Sequence, residues 1–279
     1  MRVTIFGASG LLGKALTQEW QKADVSGLSS RDADIRNHNQ IADVLRRTRP
    51  EWIVLAAAYT DVDGCETNSQ RAFEVNCQGA VNVAEAAKQS GARLLFLSSD
   101  YVFDGMKSTP YEVDDERGPR SIYGKSKAEA ELKLQEVLPA CCIVRTSWLF
   151  GVGGKCFPDT ILKLAATRPS LDVVGDQRGS PTYTHDLARA IIHLCTVNAS
   201  GIVHATNRGD CTWFNFASEI VKRAELSTQV RPTTSEGFPR PAERPKYSVL
   251  SPASLDAHQF VMPTWQDALR RYLLEREHA

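Results

Sequence analysis

The stretch that decides the fold is Val3-Thr4-Ile5-Phe6-Gly7-Ala8-Ser9-Gly10-Leu11-Leu12-Gly13. A short β-branched and apolar run reads as a strand, and a glycine-punctuated turn then leads straight into a helical pattern over 11–21. Each glycine has a separate task in this order. Gly7 permits the tight turn, Gly10 lets the backbone approach a pyrophosphate, and Gly13 allows close packing of helix on strand. The helix start offers free N–H groups and a partial positive charge to an anion. The stretch therefore predicts a strand–loop–helix unit suited to a dinucleotide.

The same alternation continues outward. Residues 25–28, 52–55, 93–98 and 141–145 read as strands, with helical spacing over 80–89 and again over 123–137. Near-continuous apolar strands separated by helices imply a parallel sheet covered on both faces. Right-handed crossovers then predict an α/β, Rossmann-like doubly wound sheet with a smaller C-terminal α/β part. Residues 1–150 read as the dinucleotide-binding domain, joined by part of 175–205, and 151–279 as mainly substrate-binding. In that second half 157–166, 185–194 and 265–277 look helical, with Thr184 as the expected N-cap of the middle one. Residues 228–247 hold four prolines and little periodicity, so they read as a long ordered loop or lid.

Composition limits the function classes. The 279 residues are 42% hydrophobic, enough for a sizeable core, and 33 basic residues balance 33 acidic ones. A neutral chain without a basic block argues against nucleic acid as a partner. No apolar run approaches the roughly 20 residues of a membrane span, and MRVTIFGASG reads as a first strand rather than a secretory signal. A soluble cytoplasmic protein is expected. The 7 cysteines form no CxxC pair, so neither a disulfide framework nor a zinc site is expected, and no catalytic metal is predicted.

Two further positions carry chemistry. Ser29-Ser30-Arg31 follows the second strand, where an acidic residue would favour NAD and where Arg with hydroxyls suits a 2′-phosphate. NADPH is thus the expected cofactor, with NADH as the second candidate because Asp32 stands next to Arg31. Tyr123 and Lys127 are four apart and share one helix face, downstream of Ser98-Ser99-Asp100 at a strand end. A phenol as general acid, an ammonium to lower its pKa and a hydroxyl for a carbonyl oxygen are supplied by Tyr123, Lys127 and Ser99. Tyr101 competes as acid but meets Gly105 instead of a Lys four residues on.

The glycine spacing GxxGxxG is the pattern of short-chain dehydrogenase/reductase-like enzymes. GASGLLG (7–13), AAAYTDVDGCE (56–66), SSDYVFDG (98–105), YGKSK (123–127), RTSWLFG (145–151), DQRGSPTY (176–183) and RPKYSVLS (244–251) together resemble the dTDP-4-dehydrorhamnose reductases, extended members of that class. The resemblance runs nearly end to end. It implies NADPH-dependent reduction of the C4 carbonyl of dTDP-4-dehydro-β-L-rhamnose, with Ser99, Tyr123 and Lys127 as catalytic residues. Gly7, Ser9, Gly10, Leu11 and Leu12 would line the pyrophosphate and Ala56, Ala57 and Ala58 the adenosine side. Ser29, Ser30, Arg31, Asp34 and Ile35 complete the expected cofactor set, beside Tyr123 and Lys127.

Val62, Ser99, Asp100, Asp104, Tyr123, Trp148, Arg178 and Pro181 are the expected substrate contacts, with Arg244 a further candidate for the diphosphate. Trp148 offers a flat apolar wall to a deoxysugar, the alternative being a core aromatic. Ser99 stands where the family often has Thr, Ser121 where it often has Asn, and Cys156 where it has Asn before a Phe. A nucleotide-sugar epimerase or dehydratase is the second enzyme reading. A non-catalytic regulatory subunit resembling the methionine adenosyltransferase β-subunit is the third. A homodimer is left open.

Overall fold

A computed structural model describes residues 1–277. Strand β1 (Arg2–Phe6) runs through the glycine turn into α1 (Leu11–Glu19), followed by β2 (Asp24–Leu28), α2 (His38–Thr48) and β3 (Trp52–Leu55). Short helices α3 (Val62–Thr67) and α4 (Ser69–Phe73) lead through a π-helical turn into α5 (Gly79–Ser90). Then come β4 (Arg93–Ser99), α6 (Ile122–Val137), β5 (Cys142–Thr146) and the two-residue β6 (Leu149–Phe150). The second half holds α7 (Phe157–Ala165), β7 (Ser170–Val174), β8 (Arg178–Gly179), β9 (Thr182–Tyr183), α8 (Thr184–Thr196) and β10 (Gly201–His204). It closes with β11 (Cys211–Thr212), α9 (Trp213–Arg223), β12 (Gln229–Thr233), α10 (Ala253–Ala257) and α11 (Trp265–Glu277).

Six strands pair in parallel in the order β2-β1-β3-β4-β5-β10. Alternate side chains of each strand feed the two faces. Val3, Ile5, Trp52 and Val54 pack under α1 and α8 with Leu12, Leu16, Leu187 and Ile191. Phe6, Ile53, Leu55 and Phe96 pack under α2, α5 and α6 with Ile41, Leu45, Val83 and Leu134. Each such buried aliphatic side chain contributes about 1.5–3 kcal/mol, so both faces are apolar by necessity and no face is left for water. The chain leaves β1 for β2 on one side, and α2 carries it back to β3 on the other. Consecutive loops therefore diverge at the carboxyl ends of β1 and β3, which is where an open α/β sheet forms its ligand crevice.

A separate apolar cluster gathers α7, α9 and α11 around the β7–β12 pair, with Phe150, Ile161, Leu171, Phe216, Ile220 and Tyr272 at its centre. Here the expectation of an irregular 228–247 is corrected. Strand β12 pairs with β7 residue for residue from Gln229↔Ser170 to Thr233↔Val174. Pro232 concealed the strand, because an imide without N–H is tolerated on the open side of an edge strand. The irregular stretch begins only after Thr233. Thr184 is likewise not the N-cap of α8. Strand β9 enters the helix without an intervening residue, so extended Tyr183 takes the cap position and Thr184 is the first helical residue. Among the described residues no helix is long and apolar enough to cross a membrane.

Candidate active site

The β1 turn is shaped by contacts that exclude side chains. Gly7 has φ +93°, and a Cβ there would lie 2.5 Å from Ala57 N and 2.8 Å from the Ala56 carbonyl carbon. A Cβ on Gly13 would overlap the Gly7 carbonyl, so α1 sits directly against the turn. Gly10 caps α1 without a side chain and no acidic residue occupies its first turn, which leaves the helix-start N–H groups for an external anion. This cradle fits a dinucleotide pyrophosphate.

From the turn a cleft of about 830 Å³ runs along the carboxyl ends of β1, β3, β4 and β5. Gly7, Ser9, Gly10, Leu11 and Leu12 form one end. Ser29, Ser30, Asp34 and Ile35 border it beyond β2, and Ala56, Ala57, Ala58 and Val62 beyond β3. Ser99, Asp100, Tyr123, Lys127 and Trp148 line the opposite end. The alanines lie where Gly7 and its neighbours come close, so small side chains keep the passage open.

Five expected residues stand elsewhere. Arg31 is exposed and off the lining. Asp104 accepts from the Tyr111 hydroxyl at 2.6 Å and Met106 N–H at 3.0 Å, and that hydroxyl holds its carboxyl below the usual range. Pro181 is buried, and Arg178 is half-exposed in an ion pair with Asp210. Arg244 donates to both oxygens of Asp63, at 2.7 and 3.0 Å, and so ties the chain after β12 to α3 beside Val62.

The cleft also recruits residues the sequence reading did not single out: Arg36, Tyr59, Arg71, Thr146, Ser147, Lys155 and Trp213. Arg36 follows Asp34 and forks onto it through Nε (3.0 Å) and Nη2 (2.6 Å). Asp32 instead accepts from Ser29 N–H at 2.8 Å and its hydroxyl at 2.6 Å, so its carboxylate is spent on the turn. Trp213 stacks face to face on Trp148 with centroids 3.4 Å apart and 7° between planes. Trp148 holds φ +46°, a conformation rare for a bulky residue, and Gly179 alone leaves room for its indole. An aromatic at a helix start sixty-odd residues downstream carries no local signal of that stacking.

The polar end of the cleft is densely wired. Ser99 donates to Asp100 Oδ1 at 2.9 Å and accepts from Tyr101 N–H at 3.2 Å. Asp100 is 2% exposed and its Oδ2 has no hydrogen-bond partner, although Ser248 stands near enough to favour the charged form. Burial nevertheless pushes its carboxyl up to about 6. The Tyr123 ring meets Tyr101 edge-on at 5.6 Å. Lys127 is 2% exposed, donates to the Leu97 carbonyl at 2.5 Å and lies 4.0 Å over the Phe96 ring. Burial pushes its ammonium down to about 7, and Glu131 offsets this in part.

One electrostatic expectation is corrected. The reading from spacing has Lys127 lowering the Tyr123 pKa. Here the phenol is raised, because burial dominates, with the Ser99 hydroxyl pulling it down and the Asp100 charge pushing it further up. Lys127 is committed to a backbone carbonyl and not to the phenol.

A glycine turn at the switch point and a Ser–Tyr–Lys end of the same cleft put the chain in the extended short-chain dehydrogenase/reductase class. The family model described as RmlD substrate binding domain matches residues 1–277. The chain belongs to the dTDP-4-dehydrorhamnose reductase family. It is 38% identical over 280 residues to the spore coat polysaccharide biosynthesis protein SpsK of Bacillus subtilis, covering 100% of this chain and 99% of that one. It is 39% identical to a dTDP-4-dehydrorhamnose reductase of Mycobacterium tuberculosis, over 90% of this chain and 84% of that protein. Among solved structures, a Bacillus anthracis dTDP-4-dehydrorhamnose reductase in complex with NADP superposes with TM-score 0.96 at 39% identity, covering 98% and 99% of the two chains.

Proposed function

We propose that the protein reduces the C4 carbonyl of dTDP-4-dehydro-β-L-rhamnose to dTDP-L-rhamnose with NADPH. The observation that carries this is the single cleft joining the glycine turn at one end to Ser99, Tyr123 and Lys127 at the other. The NADP complex of the Bacillus anthracis relative supports the cofactor. Bound NADPH supplies the hydride. Its pyrophosphate would lie on Gly7, Ser9, Gly10, Leu11 and Leu12, and its adenosine side along Ala56–Ala58, Asp34 and Ile35.

The chain's own groups handle the proton. Tyr123, kept protonated by burial, gives its proton to the carbonyl oxygen as negative charge develops there. Ser99 turns its hydroxyl toward the same oxygen, releasing Asp100. Lys127, as the ammonium, stabilises the phenolate left behind. Its charge is lost as pH rises through about 7, so turnover should fall on that alkaline side. We assign the cofactor chiefly to residues 1–150, which also bring Val62, Asp100 and Trp148 to the sugar end of the cleft, and the rest of the sugar-nucleotide specificity to the later residues. Arg244 would meet the diphosphate by exchanging Asp63 for it.

The test of the reaction is NADPH absorbance against a panel of 4-keto-6-deoxy sugar nucleotides. Loss of absorbance with the dTDP-4-keto sugar is expected. Tightly bound NAD with C4 inversion, or no turnover with any member, would overturn the reading in favour of an epimerase or a non-catalytic subunit.

Two predictions follow from residues along the cleft. Arg36, which lines it, would grip the 2′-phosphate by turning from Asp34, whereas Arg31 stands off the lining. Arg36→Ala should weaken NADPH roughly ten- to a hundredfold and leave NADH nearly unchanged, as expected for one lost charge-assisted contact. Titrating both cofactors against Arg31→Ala and Arg36→Ala decides which cation is used, and an effect confined to Arg31→Ala would reverse the assignment. Trp148→Ala should raise KM for the sugar nucleotide about tenfold, in line with loss of an aromatic wall, with the NADPH Kd unchanged. A lower melting temperature with unaltered kinetics would make Trp148 a packing residue that supports Trp213.

A further inference from the structure

The cleft rests on a buried charge network that the proposed chemistry has not used. Glu131 lies one helical turn beyond Lys127 on α6 and is fully buried. Its Oε1 accepts from the Ser98 hydroxyl at 2.5 Å and from Arg145 Nε at 2.9 Å. Its Oε2 accepts from Arg145 Nη2 and Arg117 Nε, each at 2.7 Å. One carboxylate thereby joins the ends of β4 and β5 to α6. Each partner adjoins the reacting end of the cleft: Ser98 precedes Ser99, and Arg145 precedes Thr146, the cross-strand neighbour of Ser99.

We propose that Glu131 is a positioning residue: one turn from Lys127 on the buried face of α6, it keeps that side chain charged at the reacting end of the cleft. The proposal rests on the Ser–Tyr–Lys reading above. Among the described residues no carboxylate oxygen lies within 4.0 Å of Lys127 Nζ, whose contacts are the Leu97 carbonyl and the Phe96 ring. An ammonium buried among neutral groups is held in its charged form only by a nearby fixed anion. Glu131 is that anion.

The surrounding charges set how much of its field reaches Lys127. Arg145 is fully buried and Arg117 is 21% exposed, so two guanidiniums draw on one carboxylate. His204 sits 3.3 Å from Arg145 Nη1, and its Nδ1 is buried without a partner. Burial and Arg145 keep that ring neutral, pushed down to about 3, so β10 adds no third cation. On the cleft side Asp100 and Tyr123 face the same end. Glu131 itself stays ionised because Arg145, Ser98 and Arg117 outweigh its burial.

The arrangement makes two substitutions act in opposite directions. Glu131→Gln keeps the shape of the side chain and removes its charge, so Lys127 should lose its proton about one pH unit or more lower. The alkaline limb of kcat should move down with it. Arg117→Gln removes a partly exposed competing cation, leaves the core intact and should move the same limb up. The 13Cε resonance of Lys127, titrated in the whole protein, reads both shifts directly and needs no substrate.

Opposite displacements of the limb and of the resonance are the expected result. Should Glu131→Gln fail to fold, the upward shift in Arg117→Gln decides alone. Unmoved Lys127 titration in the folded variants, with only melting temperature lowered, would overturn the proposal and leave Glu131 a structural ion pair. Normal Lys127 shifts in a protein that turns over no 4-keto sugar nucleotide would instead overturn the assigned reaction and keep the electrostatic coupling.

Discussion

Tyr123→Phe is expected to lower kcat roughly 10²–10⁴-fold while the NADPH dissociation constant stays within about twofold of wild type, the range for loss of a general acid. The reason lies in how little else the hydroxyl does. The ring keeps its edge-on packing against Tyr101 when the oxygen is removed. Lys127 keeps its bond to the Leu97 carbonyl, and the glycine turn is unaffected. What disappears is the proton that must reach the sugar oxygen as hydride arrives. Water cannot readily replace it, because the phenol lies in a region where burial is strong enough to raise its own pKa. Stopped-flow hydride transfer and cofactor titration separate the two constants. Near-normal turnover in Tyr123→Phe would remove Tyr123 from the mechanism, and Tyr101→Phe would then be the next variant to measure.

The parts of this site that sequence disclosed are those whose geometry is local. The turn from Gly7 to Gly13 is a contiguous strand–loop–helix signal. Tyr123 and Lys127 meet because a helix brings residues four apart onto one face. The class of fold follows from the same local periodicities, but the strand order does not. That order depends on the route of α2 across the sheet, which no residue spells out. Beyond β2 the sequence offered Arg31 and Arg36 within six residues. The chain turns there on Asp32–Ser29 and Arg36 forks onto Asp34, contacts that spacing alone does not show.

The Trp148–Trp213 stack and the Glu131–Arg145 pair join residues far apart in the chain, so spacing cannot find them. The direction of the Tyr123 pKa escapes spacing for a related reason. A helix face shows who is near whom, but not how dry the place is. Pro232 worked in the opposite sense, hiding a strand whose partner, β7, lies some sixty residues earlier.

A large effect outside the chemistry is expected at Gly7, where a positive φ and a close backbone approach coincide. Gly7→Ala should lower stability by roughly 2–6 kcal/mol, taking about 1–3 for a non-glycine residue held at φ +93° and a similar amount for overpacking. A chain of this size loses about 2–4 °C of melting temperature per kcal/mol, so Tm should fall by several degrees to about 20 °C. The clash has a definite place. The added methyl would press on Ala57 N and the Ala56 carbonyl carbon, the backbone that follows β3, and relief requires β1 and β3 to part at their carboxyl ends. That is the switch point of the sheet, so the cofactor cradle opens with it. NADPH should therefore bind at least tenfold more weakly in the fraction that stays folded, a loss of about 1.4 kcal/mol or more.

Ser9→Ala is the control, since it removes a hydroxyl from the same turn without touching the backbone fit. It should leave Tm nearly unchanged. Calorimetry and NADPH titration on both variants test the argument. A Gly7→Ala protein with wild-type Tm and affinity would mean that the turn can relax without moving β3, and the close approach at Ala56 and Ala57 would lose its role in shaping the cleft.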